Sequence, residues 1–152
     1  MEPKIRSGIC LNTHPEGCFA ETGGWIDAVR TIPPRTDGPK FALILGSSGG
    51  YGLASRIVSA FTYGASTIGV AFEREPSGTK QGTSGFYNTQ AFDAQAAEAG
   101  LFSRSFNGDA FSNEMKERVV SEIGRGTGKV DLVVYSLASP VRADPETGIT
   151  YR

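Results

Sequence analysis

Phe41-Ala42-Leu43-Ile44-Leu45-Gly46-Ser47-Ser48-Gly49-Gly50-Tyr51-Gly52-Leu53 passes from an unbroken apolar run through a cluster of glycines into a helix-like pattern. A continuous apolar stretch of this kind predicts a strand buried on both faces of a parallel sheet. Beyond the glycines, Leu53, Ile57, Ala60 and Phe61 fall on one face of a helix through Phe61. Strand, glycine turn and helix start, in that order, build a cradle for an anion. Gly46 can take the tight turn, Gly50 and Gly52 carry no Cβ to obstruct close approach, and the first N–H groups of the helix point at the bound group.

The pattern continues on both sides. Thr31 to Pro39 is a proline-rich connector that cannot prolong a helix, so residues 1–40 read as an N-terminal extension and the regular unit begins at Phe41. Thr67 to Phe72 predicts the second strand, and residues 76–88 read as a long glycine-rich loop. A helix capped by Asn88 or Thr89 is expected to reach about Ala99, followed by a strand over Phe102 to Phe106. Ser112 is set to cap a helix carrying Met115, Val119, Val120 and Ile123, closed by Gly124 to Gly128, with a fourth strand over Asp131 to Ser136. Strands alternating with helices predict a three-layer α/β fold: the first half of a doubly wound, Rossmann-like parallel sheet over residues 41–152, stopping after the fourth strand.

Composition sets outer bounds. The 152 residues are 39% apolar and 20% charged, enough for one core. A net charge of -1 with scattered charges gives no electrostatic footprint for nucleic acid. No apolar run approaches the roughly 20 residues that span a bilayer, and the start has no signal-like apolar segment, so a cytoplasmic protein is expected. Nothing fixes the oligomeric state, and a monomer is compatible with the sequence. Cys10, His14 and Cys18 are spaced evenly, yet no further Cys or His exists to complete a zinc set. Two free thiols and a hydrogen-bonded imidazole are expected there, with no metal.

Glu73 is the second anchor. The glycine spacing is a relative of the dinucleotide fingerprint, which calls for an acid about 20 residues on, at the end of the second strand. Glu73 lies 21 residues beyond Gly52. A carboxylate there accepts from ribose hydroxyls and repels a 2′-phosphate, which favours NADH over NADPH. By the same fold logic Asp109 and Ala110, after the third strand, fall where the adenine lies, and Leu137 and Ala138, after the fourth, where the nicotinamide passes. Asp109 also suits a turn or a helix cap.

A proton donor is harder to find. Carbonyl and enoyl reductions commonly use a Tyr activated by a nearby Lys. Four beyond Tyr51, Tyr63, Tyr87 and Tyr135 stand Ser55, Thr67, Ala91 and Ser139, and nine beyond stand Ala60, Phe72, Ala96 and Asp144, while Tyr151 is next to last. Neither Tyr-x3-Lys nor Tyr-x8-Lys is present, so no catalytic residue is assigned.

Taken together, Gly8-Ile9-Cys10 with His14-Pro15-x-Gly17-Cys18, the glycine loop, Gly82-Thr83-Ser84-Gly85-Phe86-Tyr87-Asn88, Gly108-Asp109-Ala110-Phe111-Ser112 and Val134-Tyr135-Ser136-Leu137-Ala138-Ser139-Pro140 resemble the FabV-type enoyl-acyl-carrier-protein reductases, also called trans-2-enoyl-CoA reductases. The resemblance runs nearly end to end and implies NADH-dependent reduction of the 2,3 double bond of trans-2-enoyl thioesters in fatty acid biosynthesis, on acyl-carrier protein or coenzyme A. It carries the NAD contacts to Gly46, Ser47, Ser48, Gly49, Gly50 and Tyr51, to Phe72 and Glu73, to Asp109 and Ala110, and to Leu137 and Ala138. It implies no metal at the Cys-His-Cys trio. The family's Tyr and Lys lie downstream of these residues, so the chain reads as an N-terminal fragment, inactive alone. Phe19 to Trp25 is less helix-forming than the family's segment, which predicts a short or displaced helix there. A short-chain carbonyl reductase and a noncatalytic NAD-sensing module are the alternatives.

Overall fold

The computed structural model describes residues 5–6, 9–10, 12–126, 128–138 and 141–152. Met1 to Lys4, Gly8, Thr127, Ser139, Pro140 and the side chain of Cys10, each part of a stretch read above, lie outside the described residues. The chain runs β1 (Ile5–Arg6), β2 (Ile9–Cys10), α1 (Pro15–Arg30), β3 (Phe41–Leu45), α2 (Gly50–Phe61), β4 (Ser66–Ala71), α3 (Ser84–Glu98), β5 (Ser103–Asn107), α4 (Asn113–Arg125), β6 (Leu132–Tyr135), β7 (Arg142–Ala143) and β8 (Thr150–Tyr151).

A parallel sheet in the order β5-β4-β3-β6 forms the middle layer, with Leu43 opposite Ile68 on one side and Val133 on the other. The first crossovers lead outward from β3 in one direction and the last returns to its other side. The strand order therefore reverses between β3 and β6. Adjacent residues of β3 serve opposite layers, as a doubly covered strand requires. Ile57, Leu53 and Ala60 of α2 join Phe92 and Ala96 of α3 and Ile26 of α1 in one buried cluster. Met115 and Val119 of α4 pack with Phe41, Ile68 and Val70 in another, flanked by Leu43 and Leu45. On β6, Val133 and Tyr135 remain exposed.

Several expectations change. The helix over Phe19 to Trp25 is neither short nor displaced: α1 is continuous over 16 residues. Its glycine pair costs intrinsic helix propensity of about 1 kcal/mol each, but Cys18, Thr22 and Ile26 recur every four residues and are buried together. His14 caps the helix, its Nδ1 accepting from the Gly17 N–H at 2.9 Å, and Pro15 opens it. Cys18 is a free thiol whose pKa is pushed up by burial, with a smaller contribution from Glu21.

The segment 76–88 is not loop throughout. α3 begins at Ser84 with Thr83 as its N-cap, a turn earlier than Asn88 or Thr89 would place it. The added turn is held by tertiary contact, since Gly85 and Tyr87 are buried and Gly85 lies against Glu73 and Ser48, and locally by the Gly82 N–H, which donates to Tyr87 Oη at 3.1 Å. Ser112 caps α4 as expected, accepting from Met115 N–H at 3.2 Å. Val120 does not face the core; at 66% exposure it stands outside the stripe made by Met115, Val119 and Ile123.

Arg56 is the residue the pattern does not announce. It is fully buried on α2. Its guanidinium donates to Thr67 Oγ1, Ser103 Oγ, Ser105 Oγ, the Arg104 carbonyl and Asp93 Oδ1, and lies over the Phe92 ring. Burial pulls its pKa down to about 10 against the opposing pull of Asp93, so it stays charged at neutral pH.

Candidate functional site

Gly46 follows the last residue of β3 with a φ of +87°, the left-handed turn expected of it. The turn folds the loop across the end of β4, where the N–H groups of Gly46 and Ser47 both donate to the Val70 carbonyl, at 2.8 and 3.0 Å. A Cβ on Gly46 would lie 2.1 Å from the Ser136 carbonyl oxygen, and one on Gly52 would lie 1.9 Å from the Gly46 carbonyl oxygen. Only glycine fits either place. Gly49 is the N-cap of α2 and supplies no side-chain bond to it, and no acidic side chain stands in its first turn. The opening N–H groups of α2 are thus left without a side-chain cap, an arrangement that can cradle an anion.

The cradle's side chains diverge. Ser47 turns inward, 1% exposed, and among the described residues its Oγ has no hydrogen-bond partner. Tyr51 is 88% exposed. Ser48 reaches sideways, its Oγ donating to Glu73 Oε1 at 2.6 Å.

Glu73 follows β4 and is fixed at both backbone atoms. Its N–H donates to Asn107 Oδ1 at 2.8 Å and its carbonyl accepts from Asn107 Nδ2 at 3.0 Å. Its second carboxylate oxygen accepts from Thr83 Oγ1. A half-buried carboxylate therefore sits beside the glycine loop with acceptor capacity left for ligand hydroxyls. Phe72, the neighbouring residue, is exposed.

The remaining expected positions meet in one cleft of about 280 Å³. Phe72, Asp109, Ala110, Leu137 and Ala138, all just beyond the carboxyl ends of the parallel strands, line it together with Arg142 of β7. Leu137 joins it to the cradle, since a Cβ on Gly46 would come within 3.2 Å of Leu137 Cδ2. Asp109 makes the turn that leads into α4: its Oδ1 accepts from the Phe111 N–H at 2.9 Å and its carbonyl from the Ser112 N–H at 3.1 Å. Asp109 is thus a turn former that also lines the rim of the cleft. Arg142 stacks on Phe111, 4.5 Å from the ring centre. The cleft opens where the strand order reverses between β3 and β6, the place at which open α/β sheets gather ligands.

Sequence reasoning marked Thr83 and Gly85 only as part of the Gly82 to Asn88 motif, with no role assigned to either, and did not single out Asn107. The Gly82-Thr83-Ser84-Gly85 stretch looked like loop, and Asn107 closes a strand with no recurring pattern around it. Among the described residues there is no group of three or more His, Cys, Asp or Glu that could hold a metal ion, and no helix is long and apolar enough to cross a membrane.

Comparison with known proteins gives a consistent picture. Residues 1–78 match the NAD(P)H binding domain of trans-2-enoyl-CoA reductase, and residues 80–152 match the trans-2-enoyl-CoA reductase catalytic region. The enoyl-acyl-carrier-protein reductase (NADH) of Pseudoalteromonas atlantica is 56% identical over 152 residues, covering 100% of this chain and 39% of the relative. That of Saccharophagus degradans is 54% identical, covering 99% and 38%. Among solved structures, trans-2-enoyl-CoA reductase of Treponema denticola in complex with NAD superposes with a TM-score of 0.91 at 49% identity, covering 99% of this chain and 39% of that one. The Clostridium acetobutulicum trans-2-enoyl-CoA reductase in complex with NADH gives 0.93 at 42% identity, covering 99% and 38%. The chain thus spans about 39% of the length of such relatives.

Proposed function

The chain belongs to the trans-2-enoyl-CoA reductase family, whose NAD(P)H binding domain matches residues 1–78 and whose catalytic region matches residues 80–152, and from that premise we propose that the α/β unit of residues 41–152 is the NADH-binding half-domain, preceded by the extension 1–40. The parent protein then reduces the 2,3 double bond of trans-2-enoyl thioesters for fatty acid biosynthesis in the cytoplasm, on acyl-carrier protein or coenzyme A. One observation carries the reading: the glycine cradle, Glu73 and the cleft all lie at the carboxyl ends of the strands, around the reversal of strand order.

The residues fit a dinucleotide in chemistry. The N–H groups of Gly46 to Tyr51 suit a pyrophosphate, for which Gly46 and Gly52 leave the room a Cβ would fill. Glu73 suits the adenosine ribose, with Phe72 beside it. Asp109 and Ala110 suit the adenine side of the cleft, and Leu137 and Ala138 the nicotinamide side. When bound, NADH supplies the hydride for the reduction. The chain's own residues bind and orient it. No Tyr among residues 1–152 has a Lys at either catalytic spacing, so the proton donor is assigned to another part of the parent protein.

Titration of NADH into the purified protein, followed by nicotinamide fluorescence, tests the site. Saturable binding is expected, weakened by Glu73→Gln, which is expected to spare or improve NADPH binding. Failure of the native protein to bind NADH would overturn the proposal. Turnover of crotonyl-CoA by residues 1–152 alone would overturn the assignment of the proton donor elsewhere.

A further inference from the structure

Glu73 is the obvious discriminator between the two nicotinamide dinucleotides, but a carboxylate on a flexible side chain discriminates only while it stays put. Here it is gripped from two directions. Ser48, from the glycine loop, donates to Oε1 at 2.6 Å, and Thr83, the N-cap of α3, donates to Oε2.

Thr83 is itself fixed. Its N–H donates to the Arg74 carbonyl at 3.0 Å, and its Oγ1 accepts from the Arg74 N–H at 3.1 Å. The hydroxyl has one proton to give, and Glu73 Oε2 is its nearest acceptor. The space for this arrangement is supplied by Gly85, where a Cβ would fall 2.2 Å from Glu73 Oε1 and 2.8 Å from Ser48 Cβ.

The place held by the carboxylate is one that would otherwise attract phosphate. The N-terminus of α3 carries partial positive charge, no acidic side chain stands in its first turn, and Arg74 adjoins Glu73. With the carboxylate clamped there, a ribose 2′-hydroxyl finds an acceptor and a 2′-phosphate finds a like charge. With the carboxylate released to solvent, the same hydroxyls and helix end would suit the phosphate.

We propose that Ser48 and Thr83 are specificity-determining residues, which set the preference for NADH over NADPH by clamping Glu73 at the N-terminus of α3. The inference rests on the nucleotide site proposed above and adds the residues that make its discriminator rigid.

The test is the ratio of Kd for NADPH to Kd for NADH, measured by fluorescence titration of the purified protein. A merely structural role for either hydroxyl would weaken both nucleotides alike and leave the ratio unchanged. Thr83→Val and Ser48→Ala are each expected to lower it about tenfold, as for loss of one hydrogen bond to a charged group, and Thr83→Ser to hold the native ratio. Should Thr83→Val fail to fold, Thr83→Ala takes its place as the second hydroxyl-deleting variant. A ratio unchanged within about twofold in both hydroxyl-deleting variants, while Glu73→Gln lowers it, would overturn the clamp and leave the nucleotide site standing. A ratio unmoved by Glu73→Gln as well would overturn both the clamp and the role of Glu73. Absence of NADH binding by the native protein would overturn the site beneath them.

Discussion

Asp131 shows how one exposed carboxylate can fix the framework under the cleft. Its Oδ2 accepts from the N–H groups of Lys40 and Phe41, at 2.8 and 3.1 Å, tying the entrance of β3 to the entrance of β6 across 90 residues of chain. The Lys40 and then the Phe41 N–H hold its pKa below the usual carboxylate range. A carboxyl group with a lowered folded-state pKa contributes stability in full above its unfolded pKa of about 4, and that contribution disappears as the pH falls through the folded value. Asp131→Ala should therefore be less stable than the native chain at pH 7, with the gap shrinking as pH falls below about 4. Urea unfolding at a series of pH values measures it. A gap that stays constant down to the acid limb would mean that the two hydrogen bonds add nothing through the charge.

At the scale of elements, α4 offers the simplest check on what its cap is worth. Ser112 Oγ accepts from the Met115 N–H at 3.2 Å, and Ser112→Ala should cost about 1 kcal/mol with no change in nucleotide affinity, read from urea unfolding beside an NADH titration. This cap was legible in the sequence because capping is local: the serine lies one turn before Met115, which opens the apolar stripe, and the closing glycines directly follow Ile123, which ends it. The strands were legible for the same reason, and with them the glycine loop and Glu73, whose spacing is set by one strand-helix-strand unit. What could not be read was everything held from a distance. α1 survives its glycine pair because Cys18, Thr22 and Ile26 are buried together. α3 gains its first turn because Gly85 lies against Glu73, and Val120 stands exposed, as do Val133 and Tyr135 of β6. Arg56 belongs with these, since its partners Thr67, Asp93, Ser103 and Ser105 come from three other elements. No spacing along the chain marks a bond that closes only in the fold.

At the scale of the whole molecule, the question is whether α1 and the α/β unit melt as one body. Residues 1–40 read as an extension, yet Ile26 of α1 is fully buried in the cluster of Leu53, Ile57, Phe92 and Ala96, which anchors the helix whose N-terminus forms the cradle. Replacing a buried isoleucine by alanine costs about 2–5 kcal/mol, a large share of the roughly 5–15 kcal/mol that holds a domain together. If the core is shared, Ile26→Ala lowers the single midpoint of urea unfolding seen by circular dichroism, and NADH binding fails at that same lowered midpoint. If α1 is only docked on an independent unit, the variant instead shows two transitions, an early one for α1 and a later one near the native midpoint, with nucleotide binding retained between them. The fully buried Ile26 side chain, packed against both α2 and α3, favours the single transition.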